Sequence, residues 1–360
     1  MDKFNTEDIE HGKNLILEEK YDEALDHFKK LHKKEKDNTL YPNYIGITYF
    51  LQEEYKTASE YFKTAIELNP ENWFAYRKLG EICTIKKMKS CAKKYLTETI
   101  ERDPKDLYSL LNLALIFQNE QEEIALELVE SALSIDPSNA VAHYLQGSIC
   151  LNKDEYKTAK ELLKKVVENK PRHGLAWYKL GLAYFKSNNY KRGIDVLTEA
   201  LQFIKKPYLY NLLGLLNLYE INIQDAIDSF KEAIKLEPDN SSFWINLADA
   251  YFRVNKLNSA KMCLKEALAV ANNDYHLIIV WTNFANYYEK SNQLDYSLYC
   301  LERAKEGVNL KEEESVNEFE VFEPKMELIH KIKLRIEDLR KQGIEAAKPE
   351  ENLEEIKAQE

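Results

Sequence analysis

The sequence predicts an all-α chain, a solenoid of stacked helix pairs ending in a capping helix. Three observations carry this. A two-helix unit, cleanest at Tyr41–Pro70 (YPNYIGITYFLQEEYKTASEYFKTAIELNP), recurs about nine times. Small and large apolar residues fall three and four apart within each half of that unit, which puts them on one helix face. Glycine (10) and proline (9) are scarce in 360 residues and charged residues reach 31%, which suits helices more than strands and turns.

The unit explains itself physically. Ile45, Gly46 and Tyr49 share one face of a first helix, and Ala58, Phe62 and Ala65 share one face of a second. Gly46 and Ala58 are small enough to let the two axes approach, while Tyr49 and Phe62 fill the space beside that contact. Gln52-Glu53-Glu54 is the polar turn, and Pro70 ends the second helix because it cannot continue one. A lone pair has too little core to fold, and stacking many pairs buries a continuous one.

This pattern of a large residue, Leu-Gly, Tyr, Ala, aromatic, Ala and Pro resembles the tetratricopeptide repeat in spacing and residue type together. The resemblance implies a right-handed α-α superhelix, a concave groove lined by first helices, protein or peptide partners, and no catalytic residues or cofactor to carry over.

Taken in order, the first repeat keeps Gly12, Leu15, Ala24 and Phe28, with Lys36 in place of the proline, and Asn5 and the Phe4–Ile9 pair are candidates to cap its first helix. The third keeps Leu79, Gly80, Ala92 and Pro104, with Leu96 for the aromatic. In the fourth, Leu113, Ala114, Ala125 and Ala132 persist but the turn is one residue short. The fifth has His143 and Gln146 at the large and Leu positions. Repeats six to nine are read from Trp177-Gly181-Leu197, Tyr210-Gly214-Phe230, Trp244-Ala248-Leu264 and Trp281-Ala285-Leu301, with extra residues near Asn272–Asp274. The solenoid is thus expected over 5–309 and a charged linker over 310–323. A capping or partner-binding helix follows over 324–343, its stripe Met326, Ile329, Ile332, Ile336 and Leu339, and an acidic disordered tail over 344–360. Solenoid ends need a cover, so the cap is the economical role, and self-association through that helix is the other use open to it.

The face opposite each small residue is where the resemblance places the groove. Repeats four, six and seven present Tyr108, Asn112 and Leu115; Leu175, Lys179 and Leu182; and Tyr208, Leu212, Leu215 and Tyr219. Repeats eight and nine present Asn246, Arg253, Asn283 and Asn286. An apolar, aromatic middle followed by amides fits a peptide or helical segment of a partner, its backbone hydrogen-bonded by asparagines. The alternative is that curvature buries these side chains against neighbouring first helices. The basic grip of carboxylate-binding co-chaperones is missing from repeats two to four, which show Asn43, Ile47, Lys78, Tyr108 and Asn112. The Asn246–Asn283 pair resembles two rungs of the asparagine ladder of protein O-glycosyltransferases.

Net charge is −11, of which the last fifty residues, 9 basic and 15 acidic, hold −6. That disfavours nucleic acid. A polar start and the lack of a long apolar run suggest a cytoplasmic protein with no membrane insertion. The seven histidines form no H-x-x-x-H or H-E-x-x-H pattern, so no metal is expected, and G-x-S-x-G and phosphate-loop motifs are missing. The five cysteines show no C-x-x-C spacing and are odd in number, and Cys83 and Cys150, which fall where other repeats place Tyr49 or Tyr184, read as core fillers. The expected function is a non-enzymatic scaffold or adaptor, and the alternative is a targeting or regulatory subunit of a multi-protein enzyme such as a glycosyltransferase or protease.

Overall fold

A computed structural model describes residues 6–271, 274–306, 325–349 and 353. The proposed Asn5 cap, the Phe4 staple, the linker and most of the tail lie outside them. Among the described residues there are nineteen α-helices and no strand, the all-α helical-repeat fold that the sequence predicts. Contacts divide the chain into two compact units, 1–153 and 154–360.

Unit one holds α1 (Thr6–Leu17), α2 (Tyr21–Lys34), α3 (Leu40–Leu51), α4 (Tyr55–Leu68), α5 (Trp73–Ile85), α6 (Lys89–Arg102), α7 (Leu107–Phe117), α8 (Glu122–Ile135) and α9 (Ala140–Asn152). Its core is a series of small clusters, each shared by consecutive pairs. Ile9, Phe28, Tyr41 and Ile45 join the first pair to the second, and Phe62, Ala65, Ala75 and Leu79 join the second to the third. Unit two holds α10 (Tyr156–Asn169), α11 (Gly174–Lys186), α12 (Tyr190–Phe203), α13 (Pro207–Tyr219), α14 (Ile223–Leu236), α15 (Ser241–Arg253), α16 (Leu257–Ala269), α17 (Asp274–Lys290), α18 (Leu294–Glu306) and α19 (Lys325–Lys341). From Leu218 onward one unbroken cluster runs through it to Leu353.

The close approach has a fixed register in every pair but the fourth, where the shortened turn brings Val129, fifteen positions on, into the cluster of Ala114. Gly46 faces Phe62 sixteen positions on, and a Cβ at 46 would lie 2.8 Å from the ring. At Gly214 an added Cβ would overlap the Phe230 ring outright. Ala248 and Ala285 occupy the same place, and the residues sixteen on are Leu264 and Leu301, all fully buried.

Eight first helices end in a residue with φ of 54–64°, always seven positions after the small residue: Glu19, Glu53, Lys87, Asp154, Asn188, Ile221, Asn255 and Asn292. The turn is a Schellman motif, as where Glu54 N–H donates to Tyr49 O at 2.9 Å and Glu53 N–H to Phe50 O at 3.0 Å. None of the eight is glycine. Repeat four, one residue short, lacks the left-handed residue, and Gln121 there has φ −146°. The next first helix is then capped at its amino end. Asn72, Asp106, Asn139, His173 and Asn240 each accept a backbone N–H.

The end of the stack is covered as expected. On α19, Ile329, Ile332, Ile336 and Leu339 are buried, the last three in the same core as α17 and α18. Arg335 donates to Glu289 at 2.6 Å and Arg340 to Glu302 at 2.7 Å. Beyond Gly343 the run Ile344–Pro349 is not helical, and Ala347 N–H donates to Asp295 O at 3.2 Å. One cysteine expectation is corrected. Cys83 is disulfide-bonded to Cys91 and is no simple filler, because the α5–α6 turn folds two positions eight apart onto each other. Cys150, Cys263 and Cys300 are buried.

Gly214→Ala will lower stability by about 1–3 kcal/mol through overpacking, and Phe230→Leu in that background will recover part of it, as read from denaturant midpoints. Ile221→Asn will raise stability by about 1 kcal/mol, since a β-branched side chain tolerates the left-handed region poorly and asparagine tolerates it well. His173 accepts from Ala176 N–H at 3.1 Å through Nδ1, and burial holds its imidazole below its ordinary 6.5. With the folded value depressed, its contribution is complete above pH 6.5 and falls as pH drops below that. His173→Asn, which retains the cap, will remove that slope in melts run above and below pH 6.5.

Candidate concave site

In unit two the first-helix face opposite the small residues is built by α11, α13, α15 and α17, and α19 continues it. Leu175, Lys179 and Leu182 on α11 are half-buried, as are Tyr208 and Leu215 on α13. Tyr219 is 51% exposed, and its ring meets Phe185 and Tyr190, each at 5.0 Å between centroids. Tyr208 stands edge-on to Tyr178 at 5.7 Å, and burial pushes its phenol up. These side chains keep partial exposure, so curvature does not bury them as a set. Leu212 is the correction. It is 0% exposed, because its neighbours in the stack close over it, and it cannot touch a partner.

The amides are placed differently from the ladder expected of them. Asn246, 9% exposed, donates to Asn211 Oδ1 at 2.8 Å. Asn283 donates to the carbonyl of Ile279 on its own helix at 2.9 Å. Arg253 is exposed and pairs with Asp249 at 3.0 Å. Asn246, Asn283 and Asn286 nonetheless line one cleft of about 390 Å³, floored by Ile245 and Ile279. Its far wall is α19, through Leu328, Lys331 and Arg335. Sequence reasoning gave this helix as a capping or partner-binding one but did not place it beside Asn246 and Asn283. The signal was there: Lys331 and Arg335 stand four apart, between the buried positions of the stripe.

In unit one, Tyr108 and Asn112 are half-buried and Leu115 is 49% exposed. Asn112 donates to Tyr108 O at 2.8 Å, so its amide is engaged within α7. Arg77 reaches Asp106 at 3.4 Å and lies 5.9 Å from the Tyr108 ring centroid. A larger cleft of about 630 Å³ opens between α10 and α12, floored by Trp177, Leu180 and Tyr184. Its rim is paired internally, Lys164 with Glu168 and Arg192 with Asp195, each at 3.7 Å. Buried polar groups pair in the same manner elsewhere. Ser241 Oγ lies 2.8 Å from His276 Nδ1, and Ser242 Oγ lies 3.3 Å from its Nε2. No helix among the described residues is long and apolar enough to cross a membrane.

Three family descriptions match parts of the chain: tetratricopeptide repeat over 43–72 and again over 220–278, and anaphase-promoting complex, cyclosome, subunit 3 over 118–200. No curated protein matches. Among solved structures, the APC/C hetero-tetramer Cut9–Hcn1 aligns at a TM-score of 0.52 and 16% identity, over 86% of this chain and 58% of that one. The C-terminal part of a TPR repeat-containing protein from Cytophaga hutchinsonii aligns at 0.51 and 19%, over 66% and 98%. MamA from Desulfovibrio magneticus aligns at 0.42 and 24%, over 46% and 95%. At these identities the first two likenesses speak for the fold alone. The repeat register, the paired helices and the matched families agree: the chain is a tetratricopeptide-repeat protein.

Proposed function

We propose that the protein is a non-enzymatic interaction scaffold that holds a peptide or helical segment of a partner protein on the concave face of unit two. The observation that carries this is the run of partly exposed Leu175, Leu182, Leu215 and Tyr219 on successive first helices, in the unit that also holds the amide-lined cleft. Apolar anchors of this kind supply affinity. The cleft adds hydrogen-bonding capacity: Asn246 and Asn283 each keep a side-chain carbonyl as acceptor while their amide protons are engaged inside the fold.

A second reading, a regulatory or targeting subunit of a multi-protein enzyme, draws support from the match of residues 118–200 to a subunit of a large assembly. It differs in requiring a stoichiometric catalytic partner, which co-purification reveals.

Peptides selected from a random display library on the full chain test the groove. Against Leu182→Asp, Leu215→Asp protein of unchanged helicity and cooperative melting, their affinity is expected to fall at least tenfold, about 1.4 kcal/mol or more. Tyr219→Ala, at a half-exposed site with less consequence for folding, is expected to weaken them as well. Unchanged affinity in both variants sinks the concave site and leaves the scaffold reading to another surface.

A further inference from the structure

We propose that Cys83 and Cys91 are a reversible thiol–disulfide site in the third repeat, with Cys91 the sulfur that meets the oxidant and Cys83 the one that resolves it. The two lie on facing helices of one pair, Cα atoms 5.7 Å apart and sulfurs bonded. That separation lies in the usual disulfide range, roughly 4.4–6.8 Å, so the two sulfurs are within bridging reach.

Their surroundings are unequal, and this assigns the roles. Cys83 is 5% exposed, inside the cluster that holds Ala92, Leu96 and Leu113. Cys91 is half-buried and is the third residue of α6, in its first turn. There the helix amides and their partial positive charge favour a thiolate. Lysines at 86, 87, 89, 93 and 94 flank Cys91 in the sequence. Lys89 is paired to Glu120 at 2.6 Å, and Lys93 lies 4.2 Å from the Phe117 ring centroid. The other three thiols lack these features. Cys150, Cys263 and Cys300 are buried, and burial pushes Cys263 up to about 12 and Cys300 higher still.

With hydrogen peroxide as oxidant the chemistry balances. The Cys91 thiolate attacks one peroxide oxygen, the O–O bond breaks, and hydroxide leaves and takes a proton from solvent. Cys91 is then a sulfenic acid. The Cys83 thiol gives up its proton and its sulfur attacks the Cys91 sulfur, breaking the S–O bond and releasing the second water. Two thiols and one peroxide become one disulfide and two waters. A dithiol reductant returns the pair to thiols by exchange through a mixed disulfide. Besides the disulfide, backbone bonds hold the same turn, Lys87 N–H to Thr84 O at 3.0 Å and Met88 N–H to Cys83 O at 2.8 Å.

The full chain, reduced and freed of reductant, is treated with one equivalent of hydrogen peroxide, capped with N-ethylmaleimide, digested with trypsin and weighed. The expected product links the peptide 79–86 to 90–93, two hydrogens lighter than their sum, with Cys150, Cys263 and Cys300 unoxidised. Dithiothreitol reverses the link in the folded protein, and the oxidised form melts higher. In Cys83→Ala, dimedone traps sulfenic acid on Cys91; in Cys91→Ala, Cys83 stays unoxidised. Circular dichroism checks that both variants fold. Full maleimide labelling of both cysteines after peroxide, oxidation spread evenly over all five, or a link that dithiothreitol cannot open without denaturant overturns the proposal.

Discussion

Everything in this chain hangs on a contact between a side chain that is nearly absent and one that is large. The small residue of each first helix lets the second helix approach, and the ring or branched chain sixteen positions later fills the gap, as Gly46 and Phe62 do. That distance fixes where the turn must fall. The left-handed residue comes seven positions after the small one in eight turns. The turn in turn sets the angle at which the pair presents its outer faces to the next pair. A repeat therefore cannot change its inner contact without moving the surface it offers a partner, whereas it can change that surface freely. Function in such a chain collects on the first-helix face, where the equivalent positions of repeats six to nine carry Leu182, Leu215, Asp249 and Asn286.

The architecture was legible in the sequence because the same constraint is written about nine times. A pattern too weak in one copy, as in the fifth with His143 and Gln146, is recovered from its neighbours. Even the shortened turn of repeat four was legible, and the missing left-handed residue there is its structural counterpart. The left-handed turns themselves were not, because the usual marker is glycine, and here glutamate, lysine, asparagine, aspartate and isoleucine stand in its place.

The site was legible in part. Spacing places side chains on a face, but exposure depends on how closely neighbouring helices stack, so Leu212 and Leu215 carry the same residue type and opposite fates. Asn246 was read as a donor to a partner, yet its amide finds Asn211 on the preceding first helix, a pairing across 35 positions that no local pattern announces. The Cys83–Cys91 link was missed for a related reason. Cysteine spacing rules describe loops and single helices, and these two positions are brought together by a helical hairpin.

The continuity of the core in unit two bears on how the protein comes apart. In unit one the fully buried residues form several smaller clusters, joined only through half-buried side chains such as Tyr49, Tyr95, Ile100 and Leu128. In unit two one cluster extends from Leu218 to Leu353 without a break. For a stack whose stability is a sum of repeat and nearest-neighbour terms, weak couplings let repeats open singly and strong ones make them open together. The carboxyl-terminal repeats and their covering helix thus behave as one cooperative block, and the amino-terminal repeats fray pair by pair. A partner held on α15, α17 and α19 meets a surface that is either wholly formed or wholly lost.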